Sequence, residues 1–184
     1  MEFAFVSGDP ALDLVGTVES RRGAAVDRLA APGDLERWIG ACDELPDGVS
    51  VDAASFTAAL RLREAFYGLA LDRLRGHRFS PAGLEIVNEA AAGPALVVGL
   101  SDVGLRLSGD APAVLAQVAR GGITVLADRH ASLKECGRPD CTRLYLDRSR
   151  GARRAWCGMD ACGNRVKAAA YRARRRAADS AESR

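Results

Sequence analysis

The stretch CGRPDCTRLYLDRSRGARRAWCGMDACGNRVKAAAYRARRR, residues 136–176, holds four of the chain's five cysteines and governs how the remainder is read. Cys136 and Cys141, then Cys157 and Cys162, form two C-x4-C pairs separated by fifteen residues. Such pairs suit a tetrahedral thiolate site: each clamps one edge of the tetrahedron, and a hairpin-sized insert brings the edges together. In a chain read as cytosolic, clustered cysteines favour a metal over disulfides. The spacing points to Zn2+, and four cysteine ligands leave no position open for water or substrate, so the expected role is structural. His77 and His130 fall outside the pair pattern and read as ordinary surface histidines.

Within the insert, Leu144–Leu146 reads as a short strand, 149–151 as a turn and Arg153–Trp156 as a return strand delivering Cys157. The final helix, from about Cys162 to Arg176, completes a zinc-ribbon or treble-clef-like finger. At ~100° per residue, Val166, Ala170, Ala173 and Ala177 share one face, which is expected to pack on the metal core. Arg165, Arg172 and Arg176 gather on one flank, with Lys167 and Arg174 on the other. A thin helix with two basic flanks suits a nucleic-acid groove, its cations neutralising phosphates on either side. The bland alternative is a solvated, arginine-rich helix.

The charge distribution supports this division. The chain of 184 residues has a net charge of +2, but residues 1–133 carry 12 arginines against 18 acidic groups, whereas 134–176 carry 13 basic residues against 4 acidic ones. Nearly all the basic residues are arginine, the better bidentate partner for phosphate. With 48% hydrophobic and 27% charged residues, the chain can bury one substantial core, which excludes full disorder. No apolar run approaches the ~20 residues of a membrane span, and the N-terminus lacks the features of a signal peptide.

Upstream, the pattern predicts an α+β, helix-rich domain. A helix starting at Asp34 would carry Leu35, Trp38, Ile39 and Cys42 on one apolar face, making Cys42 a packing residue. A longer helix over Phe56–Leu74 presents a stripe of Phe56, Leu60, Tyr67, Leu71 and Leu74, and Gly76 ends it. Ser80-Pro81 opens a third helix. Ala95–Leu100 and Gly104–Ser108 read as a small β-hairpin. Asp110 caps a further helix, which Gly121-Gly122 is expected to interrupt before Ile123–Leu126. The divisions are 1–130, a regulatory domain; 131–177, the finger; and 178–184, a flexible tail.

At Cys162-Gly163-Asn164-Arg165 the sequence resembles the CGNR zinc-finger family, and CGRPDC (136–141) and RLYLDRSRGARRAWC (143–157) extend the likeness. Ala155 departs from it, standing between Arg154 and Trp156 where members place Arg directly before Trp. GDPALDLVGT (8–17) and LRLREA (60–65) resemble the stress-induced transcription regulator domain that accompanies this finger, although Gly16 replaces an expected asparagine. The resemblance implies a bacterial DNA-binding transcriptional regulator, cytoplasmic and nucleoid-associated when bound.

On that reading the finger contacts double-stranded DNA through Asn164, Arg165, Lys167, Arg172, Arg174, Arg175 and Arg176. Most contacts would go to phosphate, with Asn164 and Arg165 as candidates for base edges. The alternatives are a zinc-dependent adaptor for acidic protein partners and an RNA-binding protein; scarce aromatics weigh against the latter. No catalytic constellation is visible, so an enzyme is not expected. Asp13, Arg21 and Arg63 are candidates for a small-molecule effector site. A homodimer would suit paired half-sites.

Overall fold

Four of the body's five helices open on a proline at their first or second position. Each prolyl N–H that is missing there would have lacked a helical partner anyway. In the computed structural model, which describes residues 3–182 and the side chains among them apart from Asp160, Ala161, Ala170, Ala173 and those from Arg176 onward, the helices are α1 (Pro10–Val15), α2 (Pro32–Gly40), α3 (Ala53–Leu74), α4 (Pro81–Ala91) and α5 (Ala111–Ala127). Asp9, Asp52, Ser80 and Asp110 cap α1, α3, α4 and α5, their side chains accepting from backbone N–H groups at 2.7–3.2 Å.

The core is helical. α3 packs against α4, α5 and α1, while α1 also lies on α5. Leu12, Leu14, Leu62, Phe66, Leu69, Val87 and Val114 are almost wholly buried on these helices, as is Trp38 on α2.

Three local expectations change. α2 begins two residues before Asp34: Asp34 sits inside the first turn, its carboxylate accepting from Ala30 N at 2.7 Å and Ala31 N at 2.8 Å. On α3 the buried face is Ala59, Leu62, Arg63, Ala65, Phe66, Leu69 and Ala70, while Phe56, Leu60, Tyr67 and Leu71 form a half-buried flank and Leu74 is exposed. Four helices press on α3, so its covered face is wider than one apolar stripe and includes small residues that carry little apolar signal. Finally, α5 runs unbroken through Gly121-Gly122. Gly122 lies against α3, where a Cβ would overlap the Phe66 ring edge and lie 2.8 Å from the Ala11 Cβ.

The strands form three separate antiparallel pairs, giving an α+β architecture. β1 (Val18–Glu19) pairs with β2 (Val26–Asp27), a contact with no period-2 signal long enough to be read in advance. β3 (Val97–Ser101) and β4 (Gly104–Ser108) make the expected hairpin, joined by Asp102 and Val103. β5 (Leu133–Glu135) pairs with β6 (Leu144–Leu146) in the cysteine-rich segment.

That segment shares the body's core. Leu133, Leu144 and Leu146 join the same apolar cluster as Leu12 and Trp38. The N-terminal segment from Phe3 to Gly8 lies against it: Leu146 N donates to Ser7 O (2.8 Å), Arg143 Nη1 to Ala4 O (2.9 Å), Arg154 Nη2 to Val6 O (3.1 Å) and Arg148 Nη2 to Gly8 O (2.9 Å). Gly16 makes room for this seam, since a Cβ there would lie 2.6 Å from Arg143 Nη1. Among the described residues, no helix is long and apolar enough to cross a membrane.

Candidate metal centre

The β5–β6 hairpin delivers the first cysteine pair. Cys136 follows β5 and Cys141 precedes β6 by two residues, and the loop closes through Cys136 N donating to Arg143 O (3.0 Å) and Cys141 N to Arg138 O (2.9 Å). In the second pair Cys157 precedes a π-helical turn, Met159–Gly163, and Cys162 lies within it, its N donating to Gly158 O at 3.1 Å. α6 (Asn164–Glu182) continues directly from that turn. Arg153–Trp156 forms no return strand. Its carbonyls are taken by side chains and one loop N–H instead: Tyr145 Oη donates to Arg154 O (2.7 Å), Lys134 Nζ to the same oxygen (3.2 Å) and Gly137 N to Ala155 O (2.9 Å).

All four sulfurs lie within 4.8 Å of one another, and all four residues are buried and free of disulfides. The Cys157 Sγ lies 3.5 Å from that of Cys162 and 3.9 Å from that of Cys141. Four acidic groups this close cannot all ionise without a cation. The hydrogen bond from Cys157 lowers the Cys141 thiol to about 4, and that same contact pushes the Cys157 thiol up. Burial raises Cys162 to about 11. A divalent ion removes this conflict by stabilising every thiolate, so the donor set fits a four-coordinate metal. Burial opposes the Arg138 charge, but the Cys162, Cys141 and Cys136 thiolates outweigh it and raise the Arg138 pKa.

Arg154 positions one ligand although Ala155 separates it from Trp156. Its guanidinium donates to Trp156 O (2.7 Å) and Cys157 O, and lies 4.6 Å from the Tyr145 ring centroid. Asp147 anchors the backbone at Arg154, accepting from Arg154 N (2.8 Å), Ser149 Oγ (2.6 Å) and Lys134 Nζ (2.7 Å). Burial would raise the Asp147 pKa, but Lys134 and Ser149 overcome it and hold the carboxyl below the usual carboxylate range.

Asp147→Ala should therefore loosen the metal loop, with loss of metal to a chelator accelerated roughly tenfold, the low end for changes behind a metal ligand. Because the folded pKa lies below the unfolded value, this carboxylate's stabilisation is complete above about pH 4 and is lost only as pH falls through the folded value. The difference between variant and wild type should thus be constant from about pH 5 to 8.

These geometries can be set beside known families. Residues 8–129 match ABATE, described as a putative stress-induced transcription regulator. The chain belongs to the ABATE family. Residues 132–175 of this ABATE chain match the CGNR zinc finger and include all four cysteines. No curated protein shows significant similarity to the chain.

The other candidate residues divide by location. Asn164, Arg165, Lys167, Arg172, Arg174 and Arg175 are all exposed on α6, and the five basic ones make no ion pair among the described residues. The side chain of Arg176 lies outside the described residues, as do those of Ala170, Ala173 and Ala177. Of the expected packing face only Val166 is described, and it is half-buried. The main partner of α6 is the π turn before it.

In the ABATE domain, Asp13, Arg21 and Arg63 hold the fold. Asp13 is buried and accepts from Val6 N (3.0 Å) and Ser7 N (2.9 Å); burial outweighs these bonds and raises its pKa. Arg63 is not a solvated arginine: it is buried, bidentate to Asp27 (2.7 Å to each oxygen) and bonded to Glu64 and Thr17. Arg21 also binds Glu64, at 2.5 Å, and lies 4.2 Å from the Tyr67 ring centroid. Arg21 and Arg63 thus meet on Glu64, away from Asp13's backbone partners. Sequence reasoning missed the roles of Lys134, Asp147 and Arg154, although the Asp-x-Ser pattern at 147–149 marks a side chain that bonds its own turn.

Proposed function

We propose that this protein is a transcription regulator that binds duplex DNA through the CGNR finger, with Zn2+ held by Cys136, Cys141, Cys157 and Cys162. The observation that carries the reading is a helix leading directly from the metal turn with Arg165, Lys167, Arg172, Arg174 and Arg175 exposed and in no ion pair among the described residues. Unpaired cations on a rigidly started helix offer phosphates a ready surface, and counterion release supplies the affinity. Zinc supplies cross-linking of the two cysteine pairs; the chain's own part is to fix the start of α6 through the turn at Met159–Gly163. On this reading Asn164 and Arg165, in its first turn, contact base edges, while Lys167, Arg172, Arg174, Arg175 and Arg176 act on phosphates.

The domain reading follows: residues 1–130 regulate, 131–177 bind, and 178–184 form the tail. Such a protein acts in the cytoplasm, on the nucleoid, and the family description suggests a stress response. An effector at Asp13, Arg21 and Arg63 would have to displace their internal partners.

Arg172→Ala/Arg174→Ala tests the DNA reading. In anisotropy titrations of the metal-loaded chain against duplexes, binding should weaken uniformly across sequences. The slope of log K against log salt should become shallower by about 2, one contact per arginine at ~0.9 each. An unchanged affinity and slope would remove α6 from the interface. An adaptor for acidic proteins would instead bind its partner with indifference to competing DNA.

A further inference from the structure

The β3–β4 hairpin is amphipathic, yet its apolar face meets almost nothing of its own chain. In the observed register Val98 pairs with Leu107 and Leu100 with Leu105, which places these four side chains on one face. The opposite face carries Val97, Ser108, Gly99, Arg106, Ser101 and Gly104. Such alternation marks a strand pair with one buried side. Here, however, Val98, Leu100 and Leu105 of that face are 68–90% exposed and only Leu107 is half-buried; with Val97 and Val103, they make up half of the ten exposed large apolar side chains among the described residues. The two strands contact each other and little else. A lone two-stranded hairpin is at best marginal in water.

Beside the hairpin's root lies a groove of about 350 Å³ between α3, α4 and α5, lined mainly by small or apolar residues including Ala58, Leu62, Ile86, Pro94 and Leu115. The hairpin cannot fold into this groove itself. Its root is fixed: Arg120 Nη2 donates to Gly93 O (2.5 Å) and Nη1 to Pro94 O (3.3 Å), and Leu96 packs so closely on Gly109 that a Cβ there would lie 2.7 Å from Leu96 Cδ2. Groove and arm also complement each other in charge. The groove carries Arg61 and Glu89, the arm Asp102 at its tip and Arg106 on β4, and no ion pair involves any of the four among the described residues.

We infer that the hairpin is a dimerisation arm, received in the α3–α4–α5 groove of a second copy of this chain. Groove and arm adjoin at Gly93 and Pro94, so a two-fold axis beside the root lets each copy give its arm and receive the other, a closed contact. The inference does not depend on DNA binding, and its test contains no DNA.

Sedimentation velocity on the full-length, metal-loaded chain should show a monomer–dimer equilibrium between about 1 and 100 µM. Leu100→Thr/Leu105→Thr changes exposed, cross-strand-paired side chains and should leave the melting temperature of the dilute monomer unaltered, yet weaken association on the order of 100-fold. Ala58→Trp, which fills the groove, should do the same. Arg61→Asp should weaken the dimer, and adding Asp102→Arg should restore it. A wild-type chain still monomeric at the top of that range would overturn the proposal and make a different molecule the cover of the arm. So would a dimer indifferent to the leucine changes. A dimer broken by the leucine changes but not by Ala58→Trp would replace groove insertion with direct packing of two arms.

Discussion

Cys157→Ser should cost the protein its metal and the order of its finger together. The sulfur it removes lies within 3.9 Å of both Cys141 and Cys162 and is almost wholly buried. A serine hydroxyl does not ionise at neutral pH, so three thiolates would face a site built for four. Structural zinc sites contribute apparent binding energies of about 10–16 kcal/mol, comparable with the ~5–15 kcal/mol that holds a whole domain together. A few surrounding hydrogen bonds cannot replace that. Elemental analysis should fall from about one metal ion per chain to none, and amide exchange across residues 132–163 should lose protection. The body should soften as well, because Leu133, Leu144 and Leu146 belong to its core and Arg143, Arg148 and Arg154 hold the N-terminal segment. Cys42→Ser is the control: its thiol is pushed up to about 11 by burial and lies outside the cluster, so metal content should not change. Stoichiometric metal and intact protection in Cys157→Ser would sink the four-thiolate assignment.

The finger was legible because metal ligands must be particular residues at particular spacings, and spacing survives in one dimension. The helix starts at Ser80 and Asp110 and the Ser101–Gly104 hairpin were legible for a similar reason: a cap or two-residue turn is specified by residues that touch within the turn itself. The seam between body and finger left no such trace. It consists of Arg143, Arg148 and Arg154 donating to main-chain carbonyls of residues 4–8, and any residue supplies a carbonyl. Arg63 was hidden because a buried arginine looks like a surface one until Asp27 is brought 36 residues along the chain to meet it. The exposed apolar hairpin reverses the case. Its alternation correctly reported a strand pair with a face to bury, while the surface that buries it is absent from the isolated fold.

Glycine in a helix was the least readable feature, and it carries the other large expected effect. Gly68 and Gly122 both lie within helices, α3 and α5, where propensity alone favours alanine by about 1 kcal/mol. Space divides them. Nothing lies within 4 Å of a Cβ built on Gly68, so Gly68→Ala should stabilise the protein by roughly 0.5–1 kcal/mol. At Gly122 the same methyl would enter the edge of the Phe66 ring, itself buried and packed against α1, and approach the Ala11 Cβ to 2.8 Å. The ring has no exposed side to turn towards, so α5 must move off α3, and overpacking of that kind typically costs 1–3 kcal/mol or more. Gly122→Ala should therefore destabilise by about 2 kcal/mol despite its better propensity, lowering the melting temperature by roughly 4–8 °C in a chain of this size. Phe66→Leu shortens the obstructing side chain. Its own cavity cost should be partly filled by the new methyl, making the double variant more stable than the sum of the two single losses predicts. Thermal and denaturant melts of the four variants measure both quantities. A neutral or stabilising Gly122→Ala, or strict additivity with Phe66→Leu, would mean that these two helices are not in the contact that seats α1 and, through the N-terminal segment, the finger.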